Sequence, residues 1–403
     1  MNPERRRVLL VCTHPVQYFA PILQRMARHP KLDIQVAYCS LQGAESGIDP
    51  EFGVAVAWDV PLLHGYPWTL VPNRSWQARL GRFWGLFNPG LWDLVRGGGQ
   101  EAVILLTGYR YASFWIALIA AKFHRKALLF GTDASELRAR DGRRWRSIAK
   151  SMFWPVLFRL ADVVIVPSSR GVALMRSLGL PANRVLLTPY VVDNDWWTEQ
   201  AARVERNKVR RAWRIPEDVP VVLFCAKLQS WKRPLDLLRA FAAVEVPAAH
   251  LVFAGDGPLR AELQAEARSS GLNGRVRFLG FANQTQLPAV YRASDLMVLP
   301  SEYEPFGVVV NEAMLCGCPV VVSDRVGAGY DLITSGQDGF IFPFGDIRSL
   351  TAILKESLLA PNRLRALGEA ARARMQSWSP TENVNAVAEA VESAIGTRTK
   401  LRD

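Results

Sequence analysis

The sequence has no apolar run approaching the roughly 20 residues that a bilayer-spanning helix needs. Its best candidate, Ala112 to Ala121, is too short and ends at Lys122. It has no low-complexity tract and no long polar tail, which excludes a mainly disordered chain. Cysteine is scarce: five in 403 residues, at Cys12, Cys39, Cys225, Cys316 and Cys318. They are scattered and odd in number, with Cys316 and Cys318 in C-x-C spacing. That argues against a disulfide scaffold and fits buried thiols in a reducing, cytoplasmic setting. No G-x-G-x-x-G follows the first strand-like run, where the residues are Thr13-His14-Pro15-Val16; a dinucleotide-binding dehydrogenase is therefore not expected. Met1 to Arg7 is charged, but Val8 to Thr13 is only strand-length, so this opening reads as a first strand and not as a secretory signal.

What is present is positive charge, unevenly placed. The net charge is +12. Residues 1–199 hold 24 of the 49 Lys and Arg against 15 of the 37 Asp and Glu, and ten of the 13 Trp. Arg138, Arg140, Arg143, Arg144, Arg146 and Lys150 crowd beside Trp145, Phe153, Trp154 and Phe158. Cationic heads among aromatics suit an anionic membrane surface; a solvated helix face accounts for the same pattern. No recognition motif accompanies the charge, so nucleic acid is not an expected partner.

Strand-like apolar runs alternate with helical ones. Val8–Thr13, Asp33–Cys39, Ala102–Thr107, Ala127–Phe130 and Val163–Pro167 read as buried strands, separated by amphipathic segments such as Tyr18–Arg28, Tyr109–Phe123, Arg144–Leu160 and Arg170–Ser177. The second half repeats the pattern with Val221–Ala226, Leu251–Ala254, Val276–Leu279, Asp295–Leu299 and Pro319–Ser323. That alternation predicts an α/β protein with parallel sheets covered on both faces. The length fits two domains. The Trp-, Pro- and Gly-rich stretch Phe52 to Asn88 reads as a long excursion between strands, suited to an acceptor side.

The most informative pair is Glu304 and Glu312, in Ser301-Glu302-Tyr303-Glu304-Pro305-Phe306-Gly307-Val308-Val309-Val310-Asn311-Glu312-Ala313-Met314. Pro305 suits the first turn of a helix, which would place Glu312 about two turns in and roughly 12 Å from Glu304. That spacing suits two ends of an extended ligand. The first amides of the helix, from Phe306, Gly307 and Val308, would face an anion. A phosphate flanked by hydroxyl-bearing groups, as in a nucleotide sugar, is the implied ligand.

The E-x7-E element followed by Cys316-Gly317-Cys318-Pro319-Val320-Val321 resembles the retaining, metal-independent glycosyltransferases of family 4 (glycosyl transferases group 1). The resemblance continues through Ala226-Lys227-Leu228, Lys232-Arg233-Pro234, Gly255-Asp256-Gly257-Pro258-Leu259, Phe278-Leu279-Gly280-Phe281 and Asp338-Gly339-Phe340. It covers about residues 220–345 well and the N-terminal half loosely. E-x7-E alone is weak; the whole run is specific.

The resemblance implies the GT-B fold: two Rossmann-like domains, one binding the acceptor (residues 1–200) and one the nucleotide sugar (201–378). A C-terminal helix (379–403) would return to the first domain. It further implies a UDP- or GDP-sugar donor as co-substrate, no other cofactor, no metal, and a glycan or lipid-linked acceptor. Lys227 and Lys232 would grip the departing diphosphate, with Lys227 standing where Arg is usual. Glu312 would accept from the ribose and Glu304 from the transferred sugar, alongside the amides of Phe306 to Val308. Gly255 would shape the donor loop and Phe281 would stack on the base. His14 and Asp133 are candidates for acceptor-side chemistry, although Thr132 stands where the family commonly has His before that Asp. Asp193-Asn194-Asp195 spells D-x-D but lies in the expected interdomain segment, where Pro189-Tyr190-Val191-Val192-Asp193 replaces the family's Asn-Gly-Val-Asp run. Two other readings fit the same residues: a nucleotide-sugar epimerase of this architecture, and a non-catalytic scaffold at a membrane surface.

Overall fold

The computed structural model describes residues 5–44, 47–48, 55–56, 58–138 and 143–400. Arg140 of the basic run, and residues 52–54 and 57 of the expected excursion, lie outside the described residues. The chain forms two compact units. One comprises Met1–Gly47, Val56–Tyr190 and Pro380–Asp403; the other comprises Ile48–Ala55 and Val191–Ser379.

The strands in chain order are β1 (Arg6–Cys12), β2 (Leu32–Tyr38), β3 (Gly47–Ile48), β4 (Ala55–Val56), β5 (Trp68–Leu70), β6 (Ala102–Leu105), β7 (Ala127–Gly131), β8 (Val163–Val166) and β9 (Val185–Leu187). They continue with β10 (Val221–Cys225), β11 (His250–Ala254), β12 (Val276–Gly280), β13 (Leu296–Leu299), β14 (Val320–Ser323) and β15 (Gly339–Phe342). The first unit holds a sheet ordered β5-β2-β1-β6-β7-β8-β9, and the second a sheet ordered β12-β11-β10-β13-β14-β15. The pairings in both are parallel. β3 and β4 form a separate two-stranded sheet. Val, Leu, Ile and other mostly apolar residues run through β6, β8, β10, β13 and β14 without alternation because both faces are buried.

The ten strands read from the sequence are all present. β9 and β15 were not foreseen as strands, and the excursion before Asn88 contributes β5 at a sheet edge and a 3₁₀ turn at Phe83–Gly85. The charged stretch Ala201–Trp213 forms the end of one helix (Asn194–Ala202) and a second (Arg206–Ala212). The division expected after residue 200 falls inside the first of these, which belongs to the second unit. Asp193 of the D-x-D tripeptide caps that helix, its carboxylate accepting from Trp196 N at 3.5 Å. The helix Pro380–Lys400 packs on β7, β8 and the helix Ala20–Arg28 of the first unit. Arg398 Nε donates to Asp162 Oδ2 at 2.8 Å, and Asn383 Nδ2 to Pro189 O at 2.8 Å.

In each sheet the chain winds outward in one direction and then restarts beside the first strand. The reversal lies between β1 and β6 in one sheet and between β10 and β13 in the other. Such a switch point opens a crevice at the carboxyl ends of the strands.

One ion cluster secures the amino edge of the second sheet. Arg210, 1% exposed, donates from Nη2 to Asp295 Oδ2 at 2.6 Å, from Nε to Ala293 O at 2.9 Å, and from Nη1 to Glu217 O and Val219 O at 2.7 and 2.8 Å. Asp295 also pairs with Arg206 and accepts from Val221 N at 2.8 Å. Removing one partner of a buried pair leaves an uncompensated charge, so Arg210→Ala should cost about 3–5 kcal/mol. The exposed Arg203–Glu199 pair is a control: Arg203→Ala should cost under about 1 kcal/mol. Urea unfolding checks both, and equal costs would contradict the clamp.

Candidate functional site

The carboxyl edge of the second sheet, around the switch point between β10 and β13, carries the residues that the sequence marks for a donor. After β10 the chain runs through Lys227, which is half-buried, and is tied to the next strand end. Leu228 N donates to Asp256 O at 2.9 Å, and Leu259 N to Leu228 O at 3.1 Å. Gly255 permits this approach. Its φ is +145°, and a Cβ there would stand 2.0 Å from Ala226 O. Gly255 N also donates to Gly280 O at 2.8 Å, which sets Phe281, half-buried, beside the same edge. Asp256 is occupied in shaping the loop: its carboxylate accepts from Gly257 N at 2.8 Å and from Arg260 Nη1 at 2.5 Å.

Lys232 ends a 3₁₀ turn (Ser230–Lys232), and its ammonium pairs with the carboxylate of Glu304. Both side chains are largely buried. Sequence reasoning assigned them separate parts of a ligand; the structure brings them together across 72 residues of chain.

The expectation that Pro305 begins a helix is corrected. The helix is Val309–Leu315, with Val308 at its N-cap. Tertiary contacts hold the preceding residues out of it: Gly327 N donates to Glu304 O at 3.0 Å and Ala328 N to Phe306 O at 2.8 Å. Gly307, with φ +100°, then turns the chain into the helix. Phe306 is buried and stacked on Trp378, ring centroids 6.2 Å apart, which fixes the position of the turn. Glu312 thus lies about one turn into the helix, not two, and a helical rise does not measure its distance from Glu304.

Glu312 is 6% exposed. Its Oε2 accepts from Tyr291 Oη at 2.7 Å. Burial pushes the carboxyl up to about 8, with the Tyr291 hydrogen bond acting in the opposite direction. Burial likewise raises the Tyr291 phenol, keeping it a donor, and pushes the Cys225 thiol, 3.4 Å from that oxygen, up to about 12. Sequence reasoning missed Tyr291. A tyrosine on a helix (Leu287–Ala293) facing a strand reads as core packing, and no local signal marks its hydroxyl.

The remaining candidates, His14 and Asp133, lie in the first unit. His14 follows β1, half-buried, its Nδ1 3.0 Å from Thr13 Oγ1; burial lowers its pKa. Asp133 follows β7 and is exposed. β6 separates those strands, so their ends stand about 10 Å apart.

The raised pKa of Glu312 has a sign that can be checked. Between about pH 5 and 8 the native chain retains a proton there that the unfolded chain has released, so stability falls as pH rises through that range. Glu312→Gln removes this contribution. Its midpoint temperature should decline less than that of the parent protein from pH 5 to 8; parallel declines would contradict the buried carboxyl.

Residues 205–374 match the family model described as "Glycosyl transferases group 1". A D-inositol 3-phosphate glycosyltransferase of Geodermatophilus obscurus is 33% identical over 309 residues, covering 73% of this chain and 65% of that protein. D-inositol 3-phosphate glycosyltransferase 2 of Catenulispora acidiphila is 34% identical over 221 residues, covering 52% and 51%. The chain therefore matches about half to two thirds of the length of these relatives. Among solved structures, Anabaena HepE in complex with UDP and glucose has a TM-score of 0.71 at 20% identity, covering 96% of this chain and 100% of that one. The chain accordingly has the GT-B fold, and its second unit belongs to the glycosyl transferases group 1 family.

Proposed function

We propose that this chain is a retaining, metal-independent glycosyltransferase that moves a sugar from a nucleoside diphosphate sugar, a UDP-sugar first, to a glycan or lipid-linked acceptor. The observation that carries this reading is the convergence of Lys232, Glu304, the Gly307 turn and Glu312 at the carboxyl edge of one sheet. HepE, of the same fold, has been solved with UDP and with UDP-glucose.

Breaking a glycosyl–phosphate bond places charge on the leaving diphosphate, which fixed cations and dipoles must stabilise. In this reading Lys232 exchanges Glu304 for the diphosphate when donor enters. Lys227 adds a second charge, as a point ammonium and not a bidentate fork. The amides of Phe306, Gly307 and Val308 receive a phosphate oxygen, the freed Glu304 accepts from a sugar hydroxyl, and Glu312 accepts from the ribose. Gly255 shapes the donor loop and Phe281 stacks on the base. A front-face route, in which the donor phosphate takes the acceptor proton, needs no enzyme nucleophile; His14 and Asp133 orient the acceptor.

A peripheral membrane position on the cytoplasmic side completes the proposal. The helix Arg144–Arg159 buries Trp154, Leu157 and Phe158 but exposes Trp145, Ile148, Met152 and Val156, a single stripe at helical spacing. Arg143, Arg144, Arg146, Lys150 and Arg159 accompany that stripe, and no acidic residue occurs from 143 to 161. Exposed Trp76, Phe83 and Trp84 of the excursion supply further apolar surface. Five buried free thiols fit a reducing compartment.

Ligand binding to the native state raises apparent stability, so a thermal-shift screen of UDP-, GDP- and ADP-sugars should single out one donor. Lys232→Ala should lower turnover by about 2–4 kcal/mol of transition-state stabilisation; full retained rate would remove the diphosphate assignment. Rapid donor conversion with no acceptor present would favour the epimerase reading. For the membrane, sedimentation with anionic vesicles at low salt should capture the protein, and Trp145→Glu with Met152→Glu should release it. Equal capture by zwitterionic vesicles, or none by either, would end that part of the proposal.

A further inference from the structure

Tyr291 is 0% exposed, and its hydroxyl therefore has no bulk water to turn to. A buried hydroxyl needs a partner, and losing it costs the full desolvation of the group. The nearer partner is Glu312 Oε2, at 2.7 Å, with the Cys225 sulfur farther off at 3.4 Å. The ring is held on its other side by Trp197, also buried, with centroids 5.8 Å apart and planes at 59°. Three helices thus share this chain of contacts: Asn194–Ala202 supplies Trp197 against the ring, Leu287–Ala293 supplies Tyr291, and Val309–Leu315 supplies Glu312.

We propose that Tyr291 is a positioning residue for donor binding: its hydroxyl engages one oxygen of Glu312, fixes the carboxyl's rotamer, and leaves the second oxygen for the ribose hydroxyls of a nucleoside diphosphate. This rests on the reading of Glu312 as the ribose acceptor. A flexible glutamate would have to be ordered each time donor binds, at the cost of side-chain entropy. The Tyr291 bond removes that cost in advance. It also acts on the proton. The titratable groups that feel the carboxyl's charge are Cys225 at the end of β10, Tyr291 on the helix Leu287–Ala293 and Cys316 at the C-cap of its own helix; Lys232 acts on Cys225, and Arg292 and Arg372 act on Cys316. The hydrogen bond from Tyr291 is the contribution that favours ionised Glu312 against burial.

The test is a double-mutant cycle read by UDP calorimetry and by steady-state kinetics, using Tyr291→Phe, Glu312→Gln and the pair. Tyr291→Phe keeps the ring against Trp197 and removes only the oxygen. The expected result is a rise of about tenfold in the UDP Kd and in the donor KM, the size of one hydrogen bond. The kcat should change by less than about twofold, because this bond is equal in ground and transition states. In the Glu312→Gln background, Tyr291→Phe should add less than about twofold, since both act through one carboxyl. The pH at which UDP binding changes should also move upward in Tyr291→Phe, which lost packing alone would not produce. Should Tyr291→Phe fail to fold, Glu312→Asp, which retracts the carboxyl by one methylene, should weaken UDP as much as Glu312→Gln. Tyr291→Phe with parent affinity while Glu312→Gln is weakened, equal effects of Tyr291→Phe in both backgrounds, or Glu312→Asp with parent affinity would overturn the positioning role. Unchanged UDP binding in Glu312→Gln would instead overturn the reading of Glu312 on which it rests.

Discussion

The candidate site depends on one constraint: in a parallel sheet every crossover leaves from the carboxyl edge, and where the winding reverses two crossovers must part. In the second unit they part between β10 and β13. One carries Lys227 and Lys232 away from β10, and the other carries Glu304 to Glu312 away from β13. Neither segment could approach a ligand if the chain beside it were bulky. Gly255 lets the β11 end press against Ala226, and Gly327 lets a neighbouring helix start press against Pro305. The chemistry is thus placed by topology and admitted by glycine.

Two carboxylates in that crevice are treated in opposite ways. Glu304 is neutralised by an ammonium from the other crossover, an arrangement that a ligand with its own negative charge can displace. Glu312 has no cation at hydrogen-bonding distance among the described contacts; it is held by a phenol, while burial works against its ionisation. A site that must receive a diphosphate benefits from the difference. The first carboxylate keeps Lys232 in place between turnovers, and the second avoids adding a fixed negative charge near the phosphates.

Much of the fold was legible because parallel strands buried on both faces are written as continuous apolar runs, such as Val163–Val166 and Val221–Cys225. β9, three residues long, and β15, which opens on Gly339, are too short or too weak in that signal. Pro305 misled because its local preference for a helix start is real, yet hydrogen bonds from Gly327 and Ala328 to its neighbours keep them out of the helix. The motif residues of the site were legible through spacing and resemblance. The Lys232–Glu304 pair and the Tyr291–Glu312 bond were not, since they join residues 72 and 21 apart whose meeting is decided by sheet order. Asp193 shows the converse: a D-x-D tripeptide with a ready chemical reading serves as a helix cap.

The central claim is that a nucleoside diphosphate lies along this crevice, its phosphates between Lys232 and the Gly307 turn and its ribose on Glu312. A crystal structure of the chain with UDP, grown without divalent cations, tests it most directly. The account predicts the Lys232–Glu304 pair opened, the diphosphate against Lys232 and the Gly307 and Val308 amides, and a ribose hydroxyl on the Glu312 oxygen opposite Tyr291. A diphosphate ordered elsewhere on the second unit, or ordered only after a divalent ion is added, would contradict it.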